Sequence, residues 1–264
     1  MEETHLNPDI APILRDWDPE PGQGARKVTG LDGREKVQLR VRVGSFEGLI
    51  QFECDGRPDG AMPHGQAFAL DHYEEAAVRV EAEGKIHFSL GEEEAKELFE
   101  ESTMVYERYV ILLSLEDYDR VIRDTERNMR LFRFVHLYAA RTEDRNHLGK
   151  WWPYILRIHG LARIEKAFAA RDFDAAFQAL RESRRAVEAL PPQADEVFQS
   201  ERKRTIQAFA EAEERLYSER PRTEVERLEK EKAEAVREQD YERAAVIRDK
   251  ILALKTESEA TPKA

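Results

Sequence analysis

LEKEKAEAVREQDYERAAVIRDKILAL, residues 228–254, reads as two short antiparallel helices joined at Gln239-Asp240. The first helix offers Val225, Leu228, Ala235 and Val236. The second offers Tyr241, Ala244, Ala245, Arg248, Ile251 and Leu252, and both sets follow the three-and-four spacing of one helix face. Asp240 stands as the N-cap of the second helix, its carboxylate placed to accept from backbone N–H groups of the next turn. The paired alanines let helices approach closely, and Tyr241 can plug the end of a partner helix. A hairpin of about thirty residues is too small to hold together alone. Its apolar seam therefore predicts a protein partner or a second copy of the chain. The expected contact surface is Val225, Leu228, Ala235, Tyr241, Ala244, Ala245, Ile251 and Leu252, with Arg248 and Asp249 as polar register contacts at the rim.

Leu228, Glu229, Ala235, Asp240, Tyr241, Glu242, Ala244, Ala245, Arg248, Asp249 and Ile251 stand in an order and spacing that resemble the UVR motif. That motif is the helical hairpin at the end of the UvrB component of the excinuclease and inside its UvrC component. The resemblance covers residues 222–256 and departs at Lys232, where the motif often has Met or a similar apolar residue. The motif also occurs in Clp-type ATPases and in the activator of a protein arginine kinase, where it implies protein contact rather than DNA chemistry. It therefore implies a non-enzymatic interaction protein. The alternative it allows is an accessory of nucleotide-excision repair that binds excinuclease subunits or DNA. The arrangement is also similar to a group of bacterial proteins in which a G-R-P-D-G turn, here Gly56–Gly60, precedes a helical region and this hairpin.

With 42 Lys and Arg against 54 Asp and Glu, the chain carries a formal charge of −12, which argues against broad affinity for nucleic acid or anionic membranes. A lone cysteine, Cys54, rules out an internal disulfide and a multi-cysteine zinc site, as a reducing compartment would have it. The acidic start MEETHLNPDIAP lacks the apolar core of a secretory signal, and no apolar run reaches membrane-spanning length. The expectation is a cytoplasmic protein without a cofactor.

The fold class expected is mainly α, with a small N-terminal antiparallel β-meander. Residues 1–24, with Pro8, Pro12, Pro19 and Pro21, read as an extended arm, docked through Trp17. Residues 25–90 form a small β-rich region. Val37, Leu39, Val41 and Val43 alternate with Gln38, Arg40 and Arg42, then Ile50, Phe52 and Cys54 with Gln51, Glu53 and Asp55. Lys27-Val28-Thr29 completes three strands. Phe68–Glu83 is ambiguous between helix and strand, and Ile86-His87-Phe88 is a weak strand candidate. Residues 91–217 read as a helical body, 222–256 as the hairpin and 257–264 as a frayed tail. Asp117-Tyr118, Asp172-Phe173 and Asp240-Tyr241 open helices in the same way, each an acidic N-cap followed by an aromatic.

Catalytic patterns are sparse. There is no Gly-rich phosphate loop, no nucleophile elbow and no zinc-protease helix. The one polar cluster with enzymatic potential is the loop Asp55–His64, holding Asp55, Arg57, Asp59 and His64. His136, His147 and His159 lie in consecutive helical regions and are metal candidates only if they converge. The stripe Arg120, Arg123, Arg127 and Arg130, interleaved with acids, reads as a solvated helix face.

Overall fold

A computed structural model describes residues 9–17, 24–84, 87–221 and 224–260, except for the side chains of 255–260. Prolines 8, 19 and 21, Ile86 and residues 261–264 lie outside it. The chain divides into two compact units, residues 1–214 and 215–264.

The meander is present. β1 (Ala25–Thr29), β2 (Glu35–Val43) and β3 (Phe46–Glu53) pair antiparallel in that order, with Lys27 opposite Val37 and Val37 opposite Phe52. Gly44, at φ +60°, supplies the left-handed turn between β2 and β3 that a side chain would strain. The alternating residues do face a helix, but only at one end. Val37 and Cys54 are fully buried against Ile111, whereas Val43 and Phe46 at the far end are 67% and 63% exposed.

The arm is not wholly extended. Ala11–Asp16 form a short helix α1, because Pro12 falls in the first turn, where its missing N–H is not needed. Trp17 follows it, and the Arg26 guanidinium lies 4.1 Å from the indole centroid while Arg40 donates to the Trp17 carbonyl. The ambiguous segment is α2 (Ala69–Ala82), with Leu70, Tyr73 and Ala77 buried at helical spacing. Residues 87–89 are not a strand; Leu90 makes a single parallel bridge to Ala139.

Three long helices carry the core of residues 1–214: α3 (Glu92–Ser114), α4 (Tyr118–Tyr138) and, after the short α5 (Thr142–His147), α6 (Trp152–Ala169). Val105, Tyr109, Leu112, Val121, Ile158 and Ala162 interlock between them. α7 (Phe173–Glu188) packs on α6, and α8 (Glu196–Glu219) follows. At the buried Gly160 of α6, a methyl group would sit 2.5 Å from Ser183 Oγ and 2.9 Å from a Phe209 ring carbon. Alanine gains about 1 kcal/mol in helix propensity, but overpacking costs about 1–3 kcal/mol. Gly160→Ala is therefore expected to lower the urea midpoint; a raised midpoint would show that the neighbours give way.

The three aspartate corners share one construction. Glu116, Arg171 and Gln239 adopt left-handed φ of 56°, 59° and 61°. The next residue, Asp117, Asp172 or Asp240, donates its N–H five residues back, to Leu112, Ala167 or Ala235. Its carboxylate then accepts the N–H of Arg120, Ala175 or Arg243. Each corner ends one helix in a Schellman turn and caps the next.

α4 departs from the expectation of a solvated arginine face. Arg127 is buried, and all four arginines of the stripe are engaged by carboxylates from elsewhere in the fold. Arg120 pairs with Glu35, Asp55 and Asp117, and Arg123 with Asp55 while donating to the Cys54 carbonyl at 2.7 Å. Arg127 meets Glu101, and Arg130 meets Asp71 and Glu74. The stripe is the clamp that holds the loop after β3 and the start of α2 against the helices.

Candidate docking hairpin

Residues 215–264 contain the hairpin: α9 (Glu224–Arg237) and α10 (Tyr241–Ala260). α10 continues as helix past residue 256, where fraying was expected; no proline or glycine interrupts it before Pro262. Arg220 stacks over Tyr217 and pairs with Glu226, fastening the start of α9 to the residues before it.

The ten expected contact residues separate into two sets. Leu228, Ala235, Ala244 and Ile251 are buried, and Leu228 packs with Ile251 and with Ile247, flanked by Val225 and Leu254. These residues close the seam between α9 and α10 rather than facing outward, which corrects the idea that the seam itself awaits a partner. At about 100° per residue, Ala244, Ile247, Ile251 and Leu254 form one stripe of α10, and Tyr241, Ala245, Arg248 and Leu252 form a second, roughly a quarter turn away. The second stripe is the open one: Tyr241 is 68% exposed, Arg248 and Leu252 are exposed, and Ala245 is half-buried. Asp249 is exposed beside it and pairs with Arg248 at 2.8 Å. On α9, Val236 is offset from its buried face in the same sense and is 48% exposed. In an antiparallel pair, equal offsets fall on one face of the hairpin. Val236 was placed on the face of the first helix but not in the expected contact surface, and Ile247 was missing from both. Ile247 was legible through its spacing to Ala244 and Ile251.

Lys232, at the position where an apolar residue was expected, is half-buried and pairs with Glu229 at 3.6 Å. Half-burial with the ammonium at a carboxylate is the usual compromise of a long charged side chain.

The remaining candidates are occupied with holding the fold. Burial works against the Asp55 carboxylate, but hydrogen bonds from Arg120 and Arg123 outweigh it and hold Asp55 below the usual carboxylate range. Asp59 accepts from Arg57 and from the Ala61 N–H. His64, at φ 54°, stacks on His72 at 4.2 Å and meets Glu97 at 3.0 Å. The three groups of the loop are thus drawn to separate partners. Cys54 is buried, and burial raises its thiol pKa, the reverse of what a nucleophile needs.

The three helical histidines do not converge, and among the described residues no cluster of His, Cys, Asp and Glu could hold a metal ion. His136 meets the Arg145 carbonyl, and His147 stacks on Phe99 at 4.3 Å. His159 Nδ1 lies 3.0 Å from Thr125 Oγ1, a hydroxyl also within bonding distance of the Val121 and Ile122 carbonyls. Burial, reinforced by the Arg163 charge, pushes His159 down to about 4. The unfolded chain takes up that proton near pH 6.5, so this group makes stability fall as pH drops from about 6.5 to about 4, and adds no further loss below. Denaturant titrations across that window should show a slope from His159 of at most about 1.4 kcal/mol per pH unit. His159→Gln should flatten it, and an unchanged slope would assign the loss to other groups.

The hairpin is thus a short two-helix unit with a closed seam and an exposed stripe of Tyr, Ala, Arg and Leu. Residues 222–257 match the family model described as UvrB/uvrC motif, and α9 and α10 are the hairpin of that match. The motif is known for protein–protein and DNA-repair interactions. No curated protein and no solved structure matches the chain. Among the described residues no helix is long and apolar enough to cross a membrane.

Proposed function

We propose that this chain is a non-enzymatic docking protein whose C-terminal hairpin seats against a helical hairpin of a partner carrying the same kind of motif, the UvrB and UvrC components of an excinuclease being the partner class. The observation that carries this reading is the open stripe of Tyr241, Ala245, Arg248 and Leu252 on a segment that matches the UvrB/uvrC motif. Ala245 leaves room for a partner helix to come close, Tyr241 supplies the anchoring ring, and Arg248 with Asp249 forms the polar rim. Burying such a stripe gains roughly 25 cal/mol per Å² of apolar surface before association costs. Direct DNA contact is not part of the reading, because the α4 arginines are matched by carboxylates. The repair alternative thus reduces to recruitment of an excinuclease component.

The test is binding of purified UvrB and UvrC to the full chain, to a chain lacking 222–256 and to Tyr241→Ala. Losing a central tyrosine anchor removes about 2 kcal/mol, some thirtyfold in affinity. Sedimentation over a concentration series reads self-association through the same face. If neither protein binds and the chain stays monomeric, the proposal is wrong.

A further inference from the structure

Residues 1–214 contain a cavity of about 270 Å³ between α3, α4 and the segment Leu148–Ile155, far along the sequence from the hairpin. Its walls are mostly rings: Phe99, Tyr106, Tyr109, Phe132, Trp151 and Tyr154. Several meet edge to face, Tyr106 on Tyr109 at 5.5 Å and Tyr106 on Tyr154 at 5.8 Å, so the walls are braced rather than collapsed inward. At the margin Tyr106 and Trp151 are about two-fifths exposed, which leaves a way in.

Polar groups also line the cavity: the hydroxyls of Ser102, Thr103 and the tyrosines, the His147 ring and the Asn128 amide. Asn128 is 1% exposed, and its Nδ2 donates to the Ser102 carbonyl at 2.9 Å. Its Oδ1, at the other end of the same planar amide, is buried and has no hydrogen-bond partner. Exchanging the two atoms would set oxygen against the Ser102 carbonyl, so the hydrogen-bond network itself fixes the oxygen as the unpaired acceptor. It has almost no accessible surface, so a guest meets it only when the Asn128 side chain swings toward the cavity. A buried carbonyl oxygen without a donor is costly to keep. No lining side chain carries a formal charge beyond His147, whose pKa is lowered by burial and by the Lys150 charge.

We propose that this cavity binds a small, flat, uncharged heteroaromatic molecule of one or two fused rings, which stacks on the aromatic walls and donates an N–H to Asn128 Oδ1. The volume sits at the small end of the roughly 300–1,000 Å³ range of ligand sites, which suits a bicyclic ring system and excludes a nucleotide with its phosphates. Indole and free nucleobase share this chemistry. An ammonium ion, the other guest of aromatic walls, finds no carboxylate in the lining to balance its charge.

Isothermal titration of the full chain with indole, adenine, 1-methylindole and tetramethylammonium tests this, and indole against adenine separates the two sources. Indole or adenine is expected to bind at roughly millimolar or tighter, as such small probes do. 1-Methylindole, which keeps the rings and loses the N–H, should bind at least tenfold more weakly than indole. Asn128→Leu should abolish that preference while leaving both indoles bound through stacking alone. Thr103→Trp, which fills the cavity from an exposed position of α3, should remove binding even if the Asn128 variant fails to fold. Absence of binding by both N–H probes, equal binding of the two indoles, or preference for tetramethylammonium overturns the proposal. The hairpin plays no part in any of these outcomes.

Discussion

Asp124→Ala is expected to lower folding stability by about 3–5 kcal/mol, the cost of stranding a buried charge. Arg108 is fully buried in α3, and Asp124 in α4 is 1% exposed. The guanidinium holds the carboxylate through two bonds, Nε to Oδ2 at 2.7 Å and Nη2 to Oδ1 at 2.8 Å. Its remaining Nη1 donates to the carbonyls of Glu53 at 3.0 Å and Gly56 at 2.6 Å. One ion pair therefore joins α3, α4, the end of β3 and the G-R-P-D-G turn. Removing Asp124 leaves a buried cation with two neutral acceptors. Solvating it would mean opening the turn, and Arg123, which also donates to Asp124 at 3.0 Å, loses a partner as well. In a unit of this size each kcal/mol shifts the melting temperature by about 2–4 °C, so a fall of at least about 6 °C is expected by calorimetry. The double variant Arg108→Met, Asp124→Leu should recover much of the loss, because no charge is then left uncompensated. A melting temperature within a degree of the parent for Asp124→Ala would refute the clamp.

This pair also marks where the sequence stops being informative. The corners at Asp117, Asp172 and Asp240 were legible, since an N-cap and the residue it caps are three positions apart. The meander was legible through its two-residue alternation. The α4 arginines looked solvated because their nearest acids in sequence lie on the same helix. Their actual partners lie as far as 85 residues away, in β2 and the loop, and no local period reports such a pairing. The cavity was hidden for the same reason, its rings coming from α3, α4 and the stretch before α6. In the hairpin the apolar spacing was visible, but i,i+3 and i,i+4 steps from Tyr241 and Ala244 run along adjacent stripes. Burial alone separates the closed seam, which includes Ile247, from the open stripe.

That separation has a measurable consequence in a pair of substitutions three residues apart. Ala244 is 8% exposed in the seam, while Tyr241 is 68% exposed. Ala244→Glu puts a carboxylate between α9 and α10 with no cation built to receive it. Desolvating an unpaired charge costs several kcal/mol, and a two-helix hairpin of this size holds at most a few kcal/mol of its own stability. The charge wins, and the hairpin opens. Hydrogen exchange should show the amides of α9 and α10 losing protection, with a matching drop in helical ellipticity from their 14 and 20 residues. Tyr241→Ala should leave that protection nearly intact, because its ring makes no part of the seam cluster. Both variants should lose partner binding, one by unfolding the element and the other by removing its anchor. Exchange rates in Ala244→Glu equal to those of the parent would mean that the seam tolerates charge, and that its closure does not set the position of the open stripe.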